Sequence, residues 1–158
     1  MNDLILAAVS IERRAVCFTL FRQLQLEDVL VRQLPADEVK ATNAVIGFLN
    51  QVIERDQIGY FAFIKPPDSV SSRYRQFYSA SLQVIRAKGV PCIQISESDL
   101  FSAYSYPPLK RRDQLRKIGR TIWPSLNSQT VTRASVDAAV LGLHVQVERL
   151  LNIYEIRP

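Results

Sequence analysis

The apolar residues at the start of the chain fall into three closely spaced runs, residues 4–10, 15–21 and 29–32. The first run is apolar at nearly every position, which is typical of a central strand covered on both faces. The polar turn at residues 11–14 is too short for a crossover helix, so the second strand must return antiparallel. Residues 23–28 form a second turn or a short extension of the hairpin. The pattern therefore predicts a three-stranded antiparallel meander.

After this meander, predicted helices alternate with single strands. Apolar residues at three- and four-residue spacing predict the helices, and short aromatic or β-branched runs predict the strands. Pro66 ends the fourth strand because proline cannot continue a central ladder. The predicted elements are a helix at residues 35–56, a strand at 60–64, a helix from 71 or 72 to 88, and a strand at 90–95.

The last third of the chain is helical in pattern. Residues 96–104 begin with the spacing of a capping box and predict a short helix. A basic helix is expected at 110–122, a polar loop at 124–132, and an amphipathic helix at 134–151. The whole order predicts one α/β domain over residues 1–158, with a mixed five-stranded sheet between helical layers. The helical crossovers make the later strands parallel, and the first strand is expected to pair with residues 60–64.

Composition narrows the classes of function. The chain has 158 residues, enough for one core, and no apolar run long enough to cross a membrane, so we expect a cytoplasmic protein. Cys17 and Cys92 lie in strand-like runs and are expected to be reduced, buried thiols. His144 is the single histidine, which excludes multi-histidine metal sites. The net charge of +5 favours an acidic partner such as nucleic acid.

Two motifs near the C-terminus, together with this element order, carry a resemblance to a known family. They are LRKIGRTI at residues 115–122 and, after a loop, VDAAVLGLH at residues 136–144. The chain resembles the ribonuclease H-like fold, and within it the RuvC-like Holliday-junction resolvases and their small bacterial relatives. The resemblance implies a mixed five-stranded sheet with three antiparallel strands followed by two parallel ones.

The resemblance also implies a nuclease site in which several acids hold two Mg²⁺ ions. The family places these acids at the end of the first strand, near the end of the fourth, and at the start of the last helix. Those positions here carry Ser10, Lys65 with Pro66, and Asp137. Asp137 alone is acidic, and Lys65 would repel a cation. We therefore expect a degenerate site with no cofactor.

Other acids leave alternatives open. Glu12 follows the first strand and is a candidate for a displaced metal ligand. Glu97 and Asp99 follow the fifth strand, where they are either ligands or helix-capping residues. Asp137 is either a vestigial ligand or an acid stabilised by the helix macrodipole. Mg²⁺ is expected only if such acids form a divergent site.

The basic helix is the candidate nucleic-acid interface. Its cations repeat at the four-residue spacing that aligns side chains along one stripe, and arginine suits phosphate contacts because of its forked donors. A solvated basic face is the alternative interpretation. The candidate contacts are Lys110, Arg111, Arg112, Arg116, Lys117 and Arg120, with Arg73, Tyr74 and Arg75 as a second patch.

Three hypotheses about function follow from the sequence. The first is a catalytically degenerate ribonuclease H-like domain that binds nucleic acid or serves in an assembly. The second is a divergent metal-dependent nuclease that uses Asp137 with Glu12 or Glu97. The third is a protein-interaction module that dimerises with a second copy and binds no nucleic acid. Whether the chain is an enzyme stays open, and no membrane partner is expected.

Overall fold

A computed structural model describes residues 4–66, 72–127 and 133–155 of the chain. It contains a five-stranded mixed sheet with helices on both faces. The strands are β1 (Ile5–Glu12), β2 (Ala15–Arg22), β3 (Gln25–Gln33), β4 (Ile58–Lys65) and β5 (Cys92–Ser96). The helices are α1 (Glu38–Asp56), α2 (Ser72–Ala87), α3 (Glu97–Tyr104), α4 (Arg112–Ile122) and α5 (Arg133–Glu155), with a 3-10 helix at Pro124–Asn127.

The antiparallel meander is confirmed, but its strands are longer than predicted. Glu12 pairs with Ala15, so the first turn consists of Arg13 and Arg14 alone. The second turn is equally tight because Gln23 adopts a left-handed conformation with φ 54°. β3 therefore starts at Gln25, so of the two alternatives for residues 23–28 the extension of the hairpin is the one observed. The predicted polar loop at residues 124–132 begins with the 3-10 helix, and residues 128–132 lie outside the described part of the chain.

The strand order β3-β2-β1-β4-β5 places the first strand at the centre of the sheet. β1 pairs antiparallel with β2 and parallel with β4, and β4 pairs parallel with β5. The predicted pairing of β1 with the fourth strand is thus confirmed. Because β1 and β4 are parallel, their carboxyl ends lie at the same edge of the sheet.

Two apolar layers cover the sheet, as the nearly continuous apolar pattern of β1 requires. Alternate residues of β1 point to opposite faces: Ala7 and Val9 join one core cluster, and Leu6 and Ala8 join another. α1 and α2 contribute to the first cluster, and α5 contributes to the second. No helix within the described ranges combines the length and apolarity needed to cross a membrane.

α4 packs closely against α5, and a glycine makes this possible. A Cβ at Gly119 would lie 2.7 Å from Cγ1 of Val136 and 2.9 Å from Cγ1 of Val140. These distances are too short for any side chain, so the two backbones can approach only at glycine. The close packing brings the N-terminal half of α4 over the start of α5, where Asp137 lies.

Candidate functional site

A cavity of about 370 Å³ lies at the carboxyl ends of β1 and β4. α2, α3, α4 and α5 each contribute side chains to its wall. The four positions predicted for the degenerate site, Ser10, Lys65, Pro66 and Asp137, all line it. Its other polar and aromatic walls are Glu12, Phe63, Tyr74, Tyr78, Glu97, Arg112 and Arg116. The structure therefore brings together residues that the sequence places in six separate elements or their ends.

Asp137 is the most buried charged group of this cavity, with a side chain 2% exposed. Arg116 binds it in a bidentate manner, from Nε to Oδ1 at 2.9 Å and from Nη2 to Oδ2 at 2.9 Å. Arg112 donates from Nη1 to Oδ2 at 3.0 Å. These charge-assisted hydrogen bonds compensate a carboxylate that would otherwise be costly to bury. The helix macrodipole alone therefore does not account for Asp137.

Arg112 also binds the carboxylate of Glu97 through its Nε atom, so it bridges two acids. Capping of α3 is performed by Ser96, whose hydroxyl accepts from the backbone N–H of Asp99 at 3.1 Å. The capping interpretation of Glu97 is therefore incomplete, because its carboxylate belongs to the ion-pair cluster. We call Glu97, Arg112, Arg116 and Asp137 the arginine–carboxylate cluster.

Ser10, Glu12 and Lys65 lie around this cluster without joining its ion pairs. Ser10 is 7% exposed as a residue, and its side chain makes no hydrogen bond with the described residues. Lys65 is exposed and makes no ion pair within the described ranges. Hydrogen bonds to Asp137 raise the pKa of Arg116, and the nearby charge of Glu12 adds to this increase. Ser10 and Lys65 therefore bring hydrogen-bond donors to the cavity wall, and Glu12 brings a carboxylate.

The donor set does not fit two Mg²⁺ ions. Mg²⁺ needs carboxylate and water oxygens, but the oxygens of Asp137 and Glu97 accept from arginine, and Ser10, Lys65 and Pro66 supply no anionic oxygen. Glu12 lines the same cavity, as the divergent-nuclease hypothesis requires. However, the described ranges contain no group of three or more His, Cys, Asp or Glu residues that could hold a metal ion.

The predicted basic stripe on α4 has two different parts. Arg112 and Arg116 turn inward, and their side chains are only 28% and 15% exposed. Lys110, Arg111 and Lys117 are exposed, and Arg120 is half-buried. The close approach of α4 to α5 is the reason, since it directs one side of α4 towards Asp137. Phosphate contact by these six residues remains a prediction.

Two arginines that the sequence did not indicate also belong to this edge. Arg13 and Arg14 form the exposed turn directly after Glu12, which lines the cavity. The sequence contained the signal for this placement. If the first and fourth strands are parallel, the turn after the first strand lies at the same edge of the sheet as Lys65, which ends the fourth. We call Arg13, Arg14, Lys110 and Arg111 the basic rim, because all four are exposed and adjoin the lining residues Glu12 and Arg112 in the chain.

Arg73, expected in a second basic patch, is partly buried and makes hydrogen bonds within the protein. Its guanidinium donates to the backbone carbonyls of Arg13, Pro35 and Ala36 at 3.1 to 3.2 Å. It thereby joins the start of α2 to the turn after β1 and to the loop after β3. Arg75 is exposed, and Tyr74 lines the cavity. Within the predicted second patch, Arg73 thus connects segments of the fold.

No family model and no curated protein matches this chain. Solved structures do. RuvC of Thermus thermophilus in complex with a Holliday junction substrate aligns with a TM-score of 0.73 at 13% identity, covering 93% of this chain and 96% of that one. A second Thermus thermophilus RuvC structure gives a TM-score of 0.64 at 12% identity, with coverage of 93% and 96%.

The yeast mitochondrial Holliday junction resolvase Ydc2 gives a TM-score of 0.70 at 11% identity, covering 96% of this chain and 85% of that one. Identities this low establish shared architecture only. The resemblance predicted from the two C-terminal motifs is nevertheless confirmed at the level of the fold. The chain has the ribonuclease H-like fold of the RuvC-like resolvases.

Proposed function

We propose that this chain is a nucleic-acid-binding domain that does not cleave its ligand by the two-metal route. The observation that carries the proposal is the arginine–carboxylate cluster. The one acid at an expected ligand position, Asp137, accepts three hydrogen bonds from two arginines. A divalent ion could bind there only by displacing both guanidinium groups into a cavity that Lys65 also lines.

Electrostatics argues against a two-metal site in this cavity. Two divalent ions near one phosphate repel each other, and several carboxylates must offset that repulsion. Among the described residues that line this cavity, two of the three carboxylates are already paired with arginine. Glu12 would be left as the single acid free of a salt bridge among the described lining residues, too little charge for two Mg²⁺ ions.

Charge and resemblance support binding to nucleic acid. The chain carries a net charge of +5, and the basic rim and α4 contribute a group of exposed cations at one edge of the molecule. The similar proteins are Holliday junction resolvases, one of them in complex with a Holliday junction substrate. Branched DNA is therefore the first ligand to test, with duplex DNA and RNA–DNA hybrid beside it.

Binding is tested by titrating the full chain into labelled four-way and duplex DNA at several salt concentrations. We expect log K for duplex DNA to fall with log salt by about 0.9 per phosphate neutralised. Replacing Lys110, Arg111, Lys117 and Arg120 by Gln should weaken binding to all sequences and reduce this slope. Lys88→Gln is the matched control, because Lys88 is exposed after α2, at the opposite edge of the sheet. Absence of binding would contradict the proposal and favour the interaction module.

Cleavage is tested in the same samples with Mg²⁺ or Mn²⁺. We expect intact DNA with the wild-type protein and also with Ser10→Asp, because one added acid leaves Lys65 and Pro66 in place of the next ligand. Metal-dependent cleavage that disappears in a folded Glu12→Gln variant would instead establish the divergent nuclease.

A further inference from the structure

We propose that the cavity binds one backbone phosphate of the nucleic acid directly, using guanidinium, ammonium and hydroxyl groups in place of metal ions. The inference rests on the proposed function and specifies its central contact. It assigns a role to Ser10 and Lys65, which occupy positions where a two-metal site would carry acids.

The first argument is the set of unused donors. Arg112 uses Nε for Glu97 and one hydrogen of Nη1 for Asp137, so its Nη2 group remains available to a ligand. Ser10 is 7% exposed as a residue, lines the cavity, and makes no side-chain hydrogen bond with the described residues. Its hydroxyl is not among the buried atoms that lack a partner, so it is accessible from the cavity and can donate to a ligand there.

The second argument is preorganisation. Asp137 and Glu97 fix the guanidinium planes, so a ligand would not have to immobilise two long side chains. Binding to donors that are already ordered avoids much of the entropy cost of association. Asp137 therefore acts as a positioning residue that need not touch the ligand.

The third argument is the balance of charge. Among the described residues of the cavity wall, the carboxylates of Glu12, Glu97 and Asp137 are matched by Lys65, Arg112 and Arg116. The basic rim then adds four exposed cations, Arg13, Arg14, Lys110 and Arg111, which adjoin the lining residues Glu12 and Arg112 in the chain. An anion entering from solvent therefore meets net positive charge, and inside it meets carboxylates that are mostly paired.

The fourth argument is size and position. The volume of about 370 Å³ falls within the 300 to 1,000 Å³ typical of ligand sites. It exceeds what a single water needs and admits a phosphodiester with part of its sugar. Tyr74 and Tyr78 contribute aromatic rings to the cavity wall, beside Ser10, Lys65 and Arg112. The hydroxyl of Tyr78 already donates to Gln94 at 2.6 Å.

The experiment compares DNA affinity with and without divalent metal in variants of the cavity. Mg²⁺ should not raise wild-type affinity above its value in EDTA, since Mg²⁺ only competes with the protein for the phosphates. Lys65→Gln should weaken binding by about tenfold in both, as expected from loss of a charge-assisted hydrogen bond. Lys88→Gln should leave affinity unchanged, and inorganic phosphate should compete less effectively against Lys65→Gln than against the wild type.

Ser10→Asp separates an anion site from a metal site. In an anion site the new carboxylate repels phosphate, so affinity falls in EDTA and in Mg²⁺ alike. In a metal site it supplies a ligand, so affinity would rise with Mg²⁺, and that result would overturn the inference. Thermal unfolding of each variant verifies folding, and Lys65→Gln, at an exposed side chain, carries the test if Ser10→Asp unfolds.

The two proposals fail in different ways. If wild-type protein binds no nucleic acid, the proposed function and this inference both fall. If it binds, and the α4 variants weaken binding while Lys65→Gln and Ser10→Asp do not, the proposed function stands. Binding of a backbone phosphate in the cavity is then excluded.

Discussion

At the residue scale, the feature with the widest effect is the pairing of Asp137 with Arg112 and Arg116. The carboxylate is nearly inaccessible to solvent, while the two guanidinium groups retain some exposure. Replacing a buried ion pair as a whole often changes stability little, but removing one partner leaves an uncompensated charge. The cluster should therefore be sensitive to loss of its acid.

Asp137→Asn should lower the free energy of unfolding by about 3 kcal/mol, because Arg112 and Arg116 lose their shared counter-ion. Urea unfolding of both proteins measures the difference. Asp113→Asn is the matched control: Asp113 lies 3.6 Å from Arg116 but its side chain is 79% exposed. That exposed pair should contribute less than about 1 kcal/mol. Equal losses in the two variants would contradict the structural importance of the cluster.

Cys17 gives a prediction about pH. It is fully buried and its thiol donates to Ser135 Oγ at 3.3 Å, and burial raises its pKa from 9.0 to about 12. Above pH 9 the unfolded chain loses this proton while the folded chain keeps it. The stability that depends on the neutral thiol is therefore complete below pH 9 and is lost between pH 9 and about 12.

The slope of this loss is about 1.4 kcal/mol per pH unit for one thiol. Cys17→Ala should reduce the decrease in unfolding free energy between pH 8 and pH 10.5 by about 2 kcal/mol. Chemical unfolding at the two pH values measures it. Cys92, whose pKa burial raises to about 11, also contributes in the wild type, so Cys92→Ala provides the comparison. An unchanged pH dependence in Cys17→Ala would show that this thiol is not buried in solution.

At the element scale, Arg73 joins three segments of the chain. Its forked donors reach backbone carbonyls of the turn after β1 and of the loop after β3 from the first turn of α2. Its guanidinium also lies 4.9 Å from the centre of the Phe77 ring. No other side chain type offers several donors in this fixed geometry.

Arg73→Ala should lower the free energy of unfolding by about 1 to 3 kcal/mol, the sum expected of several partly exposed hydrogen bonds. Arg73→Lys should recover only part of this loss, because an ammonium cannot reproduce the fork. Arg75→Ala, two residues away and exposed, should have little effect. Thermal and urea unfolding measure all three. If Arg73→Ala matches Arg75→Ala, the contact does not stabilise the protein.

The sequence predicted the order of the elements well because hydrophobic periodicity reports burial. It left residues 23–28 open between a turn and an extension of the hairpin, because the left-handed conformation of Gln23 is one that glycine or asparagine would have signalled. The resemblance to the RuvC-like resolvases also placed Ser10, Lys65, Pro66 and Asp137 at one site. The inward turn of Arg112 and Arg116 was missed, because it depends on the approach of α4 to α5 at Gly119.

At the scale of the whole molecule, α5 is fastened near both ends. Asp137 holds its first turns to α4, and Gln146 and Arg149 both bind the hydroxyl of Tyr60 on β4. The side-chain amide of Gln146 also donates to the carbonyl of Gln23 at 2.6 Å, which joins the helix to the turn after β2. The last helix thus connects the cavity edge of the sheet to the opposite edge.

The central position of β1 has a consequence for the chain as it leaves the ribosome. β1, β2 and β3 can pair as soon as they emerge, since their turns are short. The other side of β1 must wait for β4, which is made only after the whole of α1, and α5 covers one face of β1 last of all. During synthesis an apolar strand therefore keeps an unpaired edge and a bare face, the combination that favours aggregation. A nascent chain stalled before β4 is the species for which a chaperone would matter most.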